Sequence, residues 1–401
     1  MKILMICEFF DDALDYQENC LAKIYRRQGH DVVVVTSTAK SVFDYTVDVA
    51  GAATGEGEMP TVDARIIRLP WRLNLLHKIK AFENLAPLIE RERPDLIYVH
   101  DIMPNMLDAL GYMRRNPDAR MIMDCHADRS NSGANLPSRL ILHGVIRKMI
   151  LDRCRPFLSK IFPVVPASYD FLKVYYRLPE TEMELLPLGV DLEAARAARA
   201  RDGRARIRAK LGIPRDALVI FTGGKLGRLK RTEEVFHALR RLNDPAIHVV
   251  VVGKVGGLGG DDAYSATIEA AARDLGNVHF VGWQDRIGVY DHMAASDVAV
   301  FPASQSVLWQ QSLGMGLPLV VAETGPGIRV RQDVSYMNAF GAAAVVDGIG
   351  DVAAQISVAI ASLRDDPVHL ARRREAAFET AEKVISYDAI ARQTLRFNPA
   401  A

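Results

Sequence analysis

Short apolar runs of strand length recur along the chain, each followed by a polar or glycine-bearing loop and then by a segment with apolar residues at helical spacing. In the first half the runs are residues 2–7, 31–36, 64–69, 95–100, 121–126 and 161–165. Between the first two, residues 16–28 place Leu21, Ile24 and Tyr25 on one helical face, and Gly29 stops the helix. The second half restarts the alternation with strands at 217–222, 248–252, 277–283, 297–301 and 319–321, and with helices at 232–242 and 308–315. A last long helix, 351–392, is broken near Asp365-Asp366-Pro367. Residues 40–62, with Gly51, Gly55, Gly57 and Pro60, read as a flexible excursion. Residues 194–210 read as a polar, exposed, linker-like helix, which puts a domain boundary near 185–215.

The strand–helix order predicts an α/β chain of two Rossmann-like, doubly wound parallel-sheet domains. Residues 1–190 form the first, 191–380 the second, and 381–401 a C-terminal helix that packs back on the first. A length of 401 residues exceeds one typical core, in keeping with two domains. Composition narrows the partners. A net charge of +1 gives no whole-molecule attraction to nucleic acid, so any anion site must be local. Cys7, Cys20, Cys125 and Cys154 lie far apart with no CxxC pair, which argues against a zinc site or disulfide framework and predicts a cytoplasmic protein. Residues 1–10 contain Glu8 and no small-residue cleavage site, unlike a signal peptide, and no apolar run approaches the roughly 20 residues of a spanning helix. Two segments, 71–80 and 139–162, mix apolar residues with cations, among them Arg139, Arg147, Lys148, Arg153, Arg155 and Lys160. Either they are helices making peripheral contact with an anionic bilayer, or they pack on their own domain with a solvated basic side; the second reading is preferred.

Candidate chemistry falls at strand ends, where open α/β sheets bind ligands. The segment 301–322 is a strand, a polar loop, a helix stopped by Gly316 and Pro318, and another strand. Residues 223–231 read as a glycine-rich basic loop before a helix, where Lys225, Arg228, Lys230 and Arg231 would meet a phosphate helped by the helix N-terminus. The plainer alternative is a solvated basic turn. The loop lacks the order of a Walker A motif, and no G-x-G-x-x-G follows the first strand, which lowers the case for a nicotinamide or flavin enzyme. His100 and His126 sit at the carboxyl ends of predicted strands. Residues 323–328 add another glycine loop at a strand end.

Several short matches now line up. Gly29-His30-Asp31-Val32, residues 94–100, 187–191, 224–230, Phe280-Val281-Gly282, Ala295-Ser296-Asp297-Val298 and Gly316-Leu317-Pro318 occur in the order found in retaining glycosyltransferases of family four, which the chain resembles over almost its whole length. The resemblance implies a GT-B fold, two such domains facing a central cleft. It implies a metal-independent transfer with no cofactor, from a nucleoside-diphosphate sugar to a saccharide, lipid-linked or small-molecule acceptor. The family's phosphate pair falls on Lys225 and Lys230, and its sugar-facing histidine on His126, making these three the catalytic candidates. Gly223, Gly224, Ser304, Gln305, Ser306 and Gln311 complete the implied donor site, and Tyr16, Gln17, Glu18 and Asp128 the acceptor site. The family's two glutamates fall on Ala303 and Gln311, so both carboxylates are missing, and the glycine pair of the first loop is absent too. A catalytically degenerate sugar-nucleotide-binding or scaffold protein is therefore the rival reading; an epimerase or phosphorylase fits the fold less well.

Overall fold

The computed structural model describes residues 1–11, 16–39, 57–61, 64–129, 131–133, 135–255, 262–303, 306–323 and 334–396; for 58–60, 225, 254, 255, 262, 263 and 323 it describes the backbone alone. The chain divides into two compact units, Met1–Leu188 with Ile390–Ala401, and Gly189–Ala389.

The strands of the first unit are β1 (Lys2–Ile6), β2 (Asp31–Ser37), β3 (Gly57–Pro60), β4 (Arg65–Leu69), β5 (Trp71–Leu75), β6 (Ile79–Phe82), β7 (Leu96–His100), β8 (Arg120–Cys125) and β9 (Leu158–Pro163). Seven of them form one sheet in the order β3-β4-β2-β1-β7-β8-β9, parallel except for the antiparallel β3–β4 pair. Both faces are covered, so β1, β2 and β7 are buried along nearly their whole length and read as continuous apolar runs. On one face Leu4, Ile6, Val33, Val35, Ile97, Val99, Met121 and Met123 join a large core. The chain winds away from β1 in both directions, so the switch point lies between β1 and β7.

Three expectations for this unit are corrected. Residues 71–80 are not helical: β5 and β6 pair antiparallel, with Leu76 and His77 both left-handed at the turn and the Trp71 and Phe82 rings stacked 4.8 Å apart. Residues 139–162 are helical only to Cys154, first in wide π turns over Ser138–Arg147 and then as an α-helix over Lys148–Cys154, before a short turn at Pro156 and β9. Most of 40–62 lies outside the described residues, but Gly57–Pro60 is β3 rather than loop.

The second unit holds β10 (Leu218–Leu226), β11 (Ile247–Val255), β12 (Val278–Gly282), β13 (Val298–Phe301), β14 (Leu319–Glu323) and β15 (Ala343–Asp347), in the order β12-β11-β10-β13-β14-β15 and all parallel. Its switch point lies between β10 and β13. The linker-like reading of 194–210 is overturned. Two helices, Leu192–Ala200 and Gly203–Leu211, stand there, the first capped by the Asp191 carboxylate. They dock through arginines: buried Arg208 meets Asp297 at 2.7 Å, Arg204 meets the same carboxylate at 2.8 Å, and Arg201 meets Asp291 at 3.1 Å. Alanine and arginine spacing hides this, because arginine packs its stem and pairs its head at once. The helix Leu308–Gly314 ends in a Schellman turn, Leu317 N–H to Ser312 O and Gly316 N–H to Leu313 O, both 2.9 Å. Gly316 is left-handed at φ 74°, and a Cβ there would overlap the Phe378 ring. The final segment is broken twice, giving Val352–Asp365, Pro367–Lys383 and Tyr387–Leu395. Beyond Ile390 the chain belongs to the first unit, where Thr394 Oγ1 lies 2.5 Å from the Tyr25 hydroxyl and Gln393 donates to Glu184 at 2.6 Å.

Asp297 is the counter-ion of buried Arg208 and also accepts from the Val219 amide at 2.9 Å, so removing its carboxylate takes away a charge partner and a buried acceptor at once. Asp297→Ala should therefore cost about 3–5 kcal/mol, read as a lower urea midpoint, and Arg208→Met on that background should recover part of it.

Candidate functional site

In the first unit the polar chemistry gathers at the switch point. Asp124, next to last in β8, is wholly buried among apolar residues. Its Oδ2 accepts from the Tyr98 hydroxyl at 2.7 Å and lies 3.0 Å from His100 Nδ1, and its Oδ1 accepts from the Asp101 amide at 3.1 Å. Burial alone would push the carboxyl up, but the His100 and His126 imidazoles hold it well below the usual carboxylate range. For His100 burial opposes the charge, yet Asp124 and Glu18 prevail and lift it to about 10. The far nitrogen of His100, Nε2, lies 3.9 Å from Glu18, near the start of the helix Gln17–Arg27. His126 follows β8; its ring centroid is 4.4 Å from that of His100, and its Nε2, buried and without a hydrogen bond, is 3.5 Å from Asp124 Oδ2.

The expected acceptor residues separate. Tyr16 is exposed, while Gln17 is buried with both amide atoms unpartnered, a state that favours a ligand or water reaching them. Asp128 is engaged in its own loop, its Oδ1 accepting from the Asn131 amide at 2.9 Å while Asn131 Nδ2 donates to the His126 carbonyl at 2.7 Å. Sequence reasoning missed Asp124, although a carboxylate inside the apolar run Met121-Ile122-Met123-Asp124-Cys125 was a legible signal. Among the described residues, His100, Asp124 and His126 form a group whose donor atoms all lie within 4.8 Å of one another, a spacing a divalent ion could span. Asp124 accepts three bonds here, from the Tyr98 hydroxyl, His100 Nδ1 and the Asp101 amide, and a metal would have to displace the proton of His100.

In the second unit the glycine-rich segment is not a loop where the sequence placed one: Gly223, Gly224 and Lys225 are still in β10, paired with Val252, Gly253 and Lys254 of β11. A Cβ at Gly223 would overlap the Val252 carbonyl and one at Gly253 the Gly224 carbonyl, so these two positions admit no side chain. The turn Arg228–Lys230 comes next. Burial alone pulls the Lys230 ammonium down to about 8. Arg231 is turned aside to an ion pair with Glu234. The helix Glu233–Leu242 carries Glu233 and Glu234 in its first turn, and the Thr232 amide before it donates to the Tyr264 hydroxyl at 2.9 Å. Beyond β13, Ser306 and Leu308 lie 3.7 Å from where a Gly224 Cβ would stand. One turn on, Gln311 Oε1 is buried without a donor. Ser304, Gln305 and residues 324–328 lie outside the described residues, and of Lys225 the backbone position is known.

Comparison with known proteins follows this division. Residues 20–194 match the family model "Glycosyltransferase Family 4" and residues 203–325 match "Glycosyl transferases group 1". A D-inositol 3-phosphate glycosyltransferase of Streptomyces bingchenggensis is 33% identical over 168 residues, covering 39% of this chain and 36% of that protein. One from Nocardiopsis dassonvillei is 30% identical over 164 residues, covering 38% and 37%. The chain thus spans little more than a third of the length of these relatives. Among solved structures, Anabaena HepE in complex with UDP and glucose superposes with a TM-score of 0.62 at 16% identity, covering 99% of this chain and 98% of that one. A glycosyltransferase of Rickettsia africae gives 0.66 at 14%, covering 99% and 97%. With its halves matched in this order and a doubly wound sheet in each, the chain belongs to the glycosyltransferases of GT-B fold, a family 4 domain followed by a group 1 domain.

Proposed function

We propose that the protein transfers a sugar from a nucleoside-diphosphate sugar to a hydroxyl acceptor, with retention of configuration and without a metal. The observation that carries this is the end of β10: bare glycine backbone, a desolvated lysine on the next turn, and the donorless Gln311 oxygen one helix away. Lys225 and Lys230 are assigned to the diphosphate, Gln311 and Ser306 to the nucleoside side, and His126 to the sugar. The anomeric carbon–oxygen bond to the diphosphate breaks as the acceptor oxygen bonds to that carbon on the same face, and the hydroxyl proton passes to the departing phosphate oxygen. Lysine charge stabilises the leaving group, the role a metal plays elsewhere. HepE binds UDP and UDP-glucose in its structures, which supports a uridine nucleotide as the first donor to try. A cytoplasmic enzyme of cell-surface polysaccharide or glycolipid synthesis fits this chemistry. The rival, a binding protein without turnover, rests on Ala303, which offers no carboxylate to the sugar; product analysis with a sugar-nucleotide panel separates the two.

Lys230→Ala should weaken donor binding roughly tenfold to a hundredfold, as loss of a charged hydrogen bond implies, read by thermal shift and titration. Unchanged affinity would remove the diphosphate assignment. The ammonium titrates near 8 in the free protein and its charged form is favoured by the bound anion. Donor affinity is therefore full below that pH and declines as pH rises through it, by at most about tenfold per unit. Lys230→Arg should abolish the decline, and Gln311→Glu should keep or tighten binding, since a charged acceptor makes the stronger bond to a ribose hydroxyl.

The first unit also carries a surface suited to an anionic bilayer. Exposed Leu73, Leu75 and Leu76 crown the β5–β6 hairpin, Leu76 at 81% exposure, and exposed Leu140, Ile141, Val145 and Met149 line the helix Ser138–Cys154. Arg147 donates to the Lys78 carbonyl at 3.4 Å and ties the two together, with Arg72, Lys78 and Arg139 nearby in sequence. No helix among the described residues is long and apolar enough to cross a membrane. Phosphatidylglycerol vesicles should sediment the protein and phosphatidylcholine vesicles should not, and Leu76→Glu with Ile141→Glu should abolish the binding. Equal sedimentation by both vesicle types would discard this surface.

A further inference from the structure

We propose that Asp124 is a positioning residue for the sugar-facing histidine: its buried carboxylate holds His100 through Nδ1 and faces the Nε2 edge of His126, leaving Nδ1 of His126 as the nitrogen that meets ligand. The inference rests on the reading of His126 as the sugar-facing residue, and adds to it the groups that set its tautomer and orientation.

The geometry is specific. Asp124 is the one carboxylate among the described residues that reaches both imidazoles, His100 Nδ1 at 3.0 Å and His126 Nε2 at 3.5 Å, through the same oxygen. The carboxylate is itself immobilised by the Tyr98 hydroxyl and the Asp101 amide, at 2.7 and 3.1 Å. The two rings lie 4.4 Å apart, so a charge on one is felt by the other. Four further groups face this cluster: Glu18 from the helix Gln17–Arg27, Asp101 beyond β7, Tyr98 within it, and the buried Cys7 thiol beyond β1. Of these, Glu18 and Asp101 add to the hold on the His100 proton. A buried carboxylate is costly unless it is paired, so its presence in the middle of an apolar sheet demands a cation, and His100 supplies it. His126 then stands beside this pair, with its Nε2 facing the carboxylate at 3.5 Å. A second ring nitrogen fixed by a carboxylate is the general way an imidazole is held in one tautomer.

The test uses the full chain with isotope-labelled histidine. In the unaltered protein the His100 resonances should report the imidazolium up to about pH 10, and those of His126 a proton on Nε2. In Asp124→Asn, His100 should titrate near the ordinary value of about 6.5, and the preference for Nε2–H at His126 should disappear. Transfer assays should show kcat reduced about tenfold or more, the scale of a lost supporting carboxylate, with the donor KM changed by less than about twofold, because the diphosphate contacts are untouched. Glu18→Gln, which leaves the sheet intact, should lower the His100 titration by a smaller step and keeps the test open if Asp124→Asn does not fold. An identical His100 titration in the variants, or a normal kcat in Asp124→Asn, would overturn the proposal. If no variant and no parent transfers sugar, the proposed reaction has failed, while the resonances still decide whether Asp124 holds the two histidines.

Discussion

A strand with helices against both of its faces cannot carry a charge along its length unless a partner is built in beside it, because desolvating an ion costs far more than any single contact returns. β1, β2 and β7 obey this with buried aliphatic runs, and so do β10, β11 and β13. Polar side chains are displaced to the carboxyl ends, where the chain leaves the sheet and water or a ligand can reach it. What the two units can do chemically follows from that displacement. His100, Asp124 and His126 lie at the ends of β7 and β8, and Gly223 to Lys230 lie at and beyond the end of β10, each next to a point where the winding reverses.

The two ends solve the problem of charge differently. In the first unit opposite charges are buried together: an anion inside the sheet and a cation one strand away, with Tyr98 and a backbone amide completing the shell. In the second the cation is half-buried on the turn beyond β10, and desolvation pulls the Lys230 ammonium down. The first arrangement is self-contained and gives orientation. The second leaves a lysine whose charged form is disfavoured by its surroundings and would be favoured by an anion bound there.

Much of this was legible because parallel strands write themselves plainly. The valine run of β2 and the apolar run of β10 permit little else, and the alternation with helical spacing gave the doubly wound architecture. Other features were hidden for identifiable reasons. The β5–β6 hairpin turns on Leu76 and His77, where no Asn-Gly or Asp-Gly marks it, so its residues passed for amphipathic helix. The arginines of Gly203–Leu211 looked solvated because their partners, Asp291 and Asp297, lie more than 80 positions away. Glycines at 223 and 224 suggested a loop, whereas both lie in β10 and Gly223 is where the neighbouring strand comes too close for a Cβ. Motif order singled out Lys230 and Gln311 from the sequence, but only coordinates could show that Asp124 lies beside both histidines.

The contact between Gly316 and Phe378 has a mechanical consequence. With the ring seated where a side chain would begin, the end of the helix that bears Gln311 is braced against Pro367–Lys383 by direct abutment. A rotation of that long helix would push on the turn rather than slip past it, and the push would reach the Gln311 oxygen within two helical turns. The position of Gln311 is thereby geared to a helix that lies more than fifty residues further along the chain.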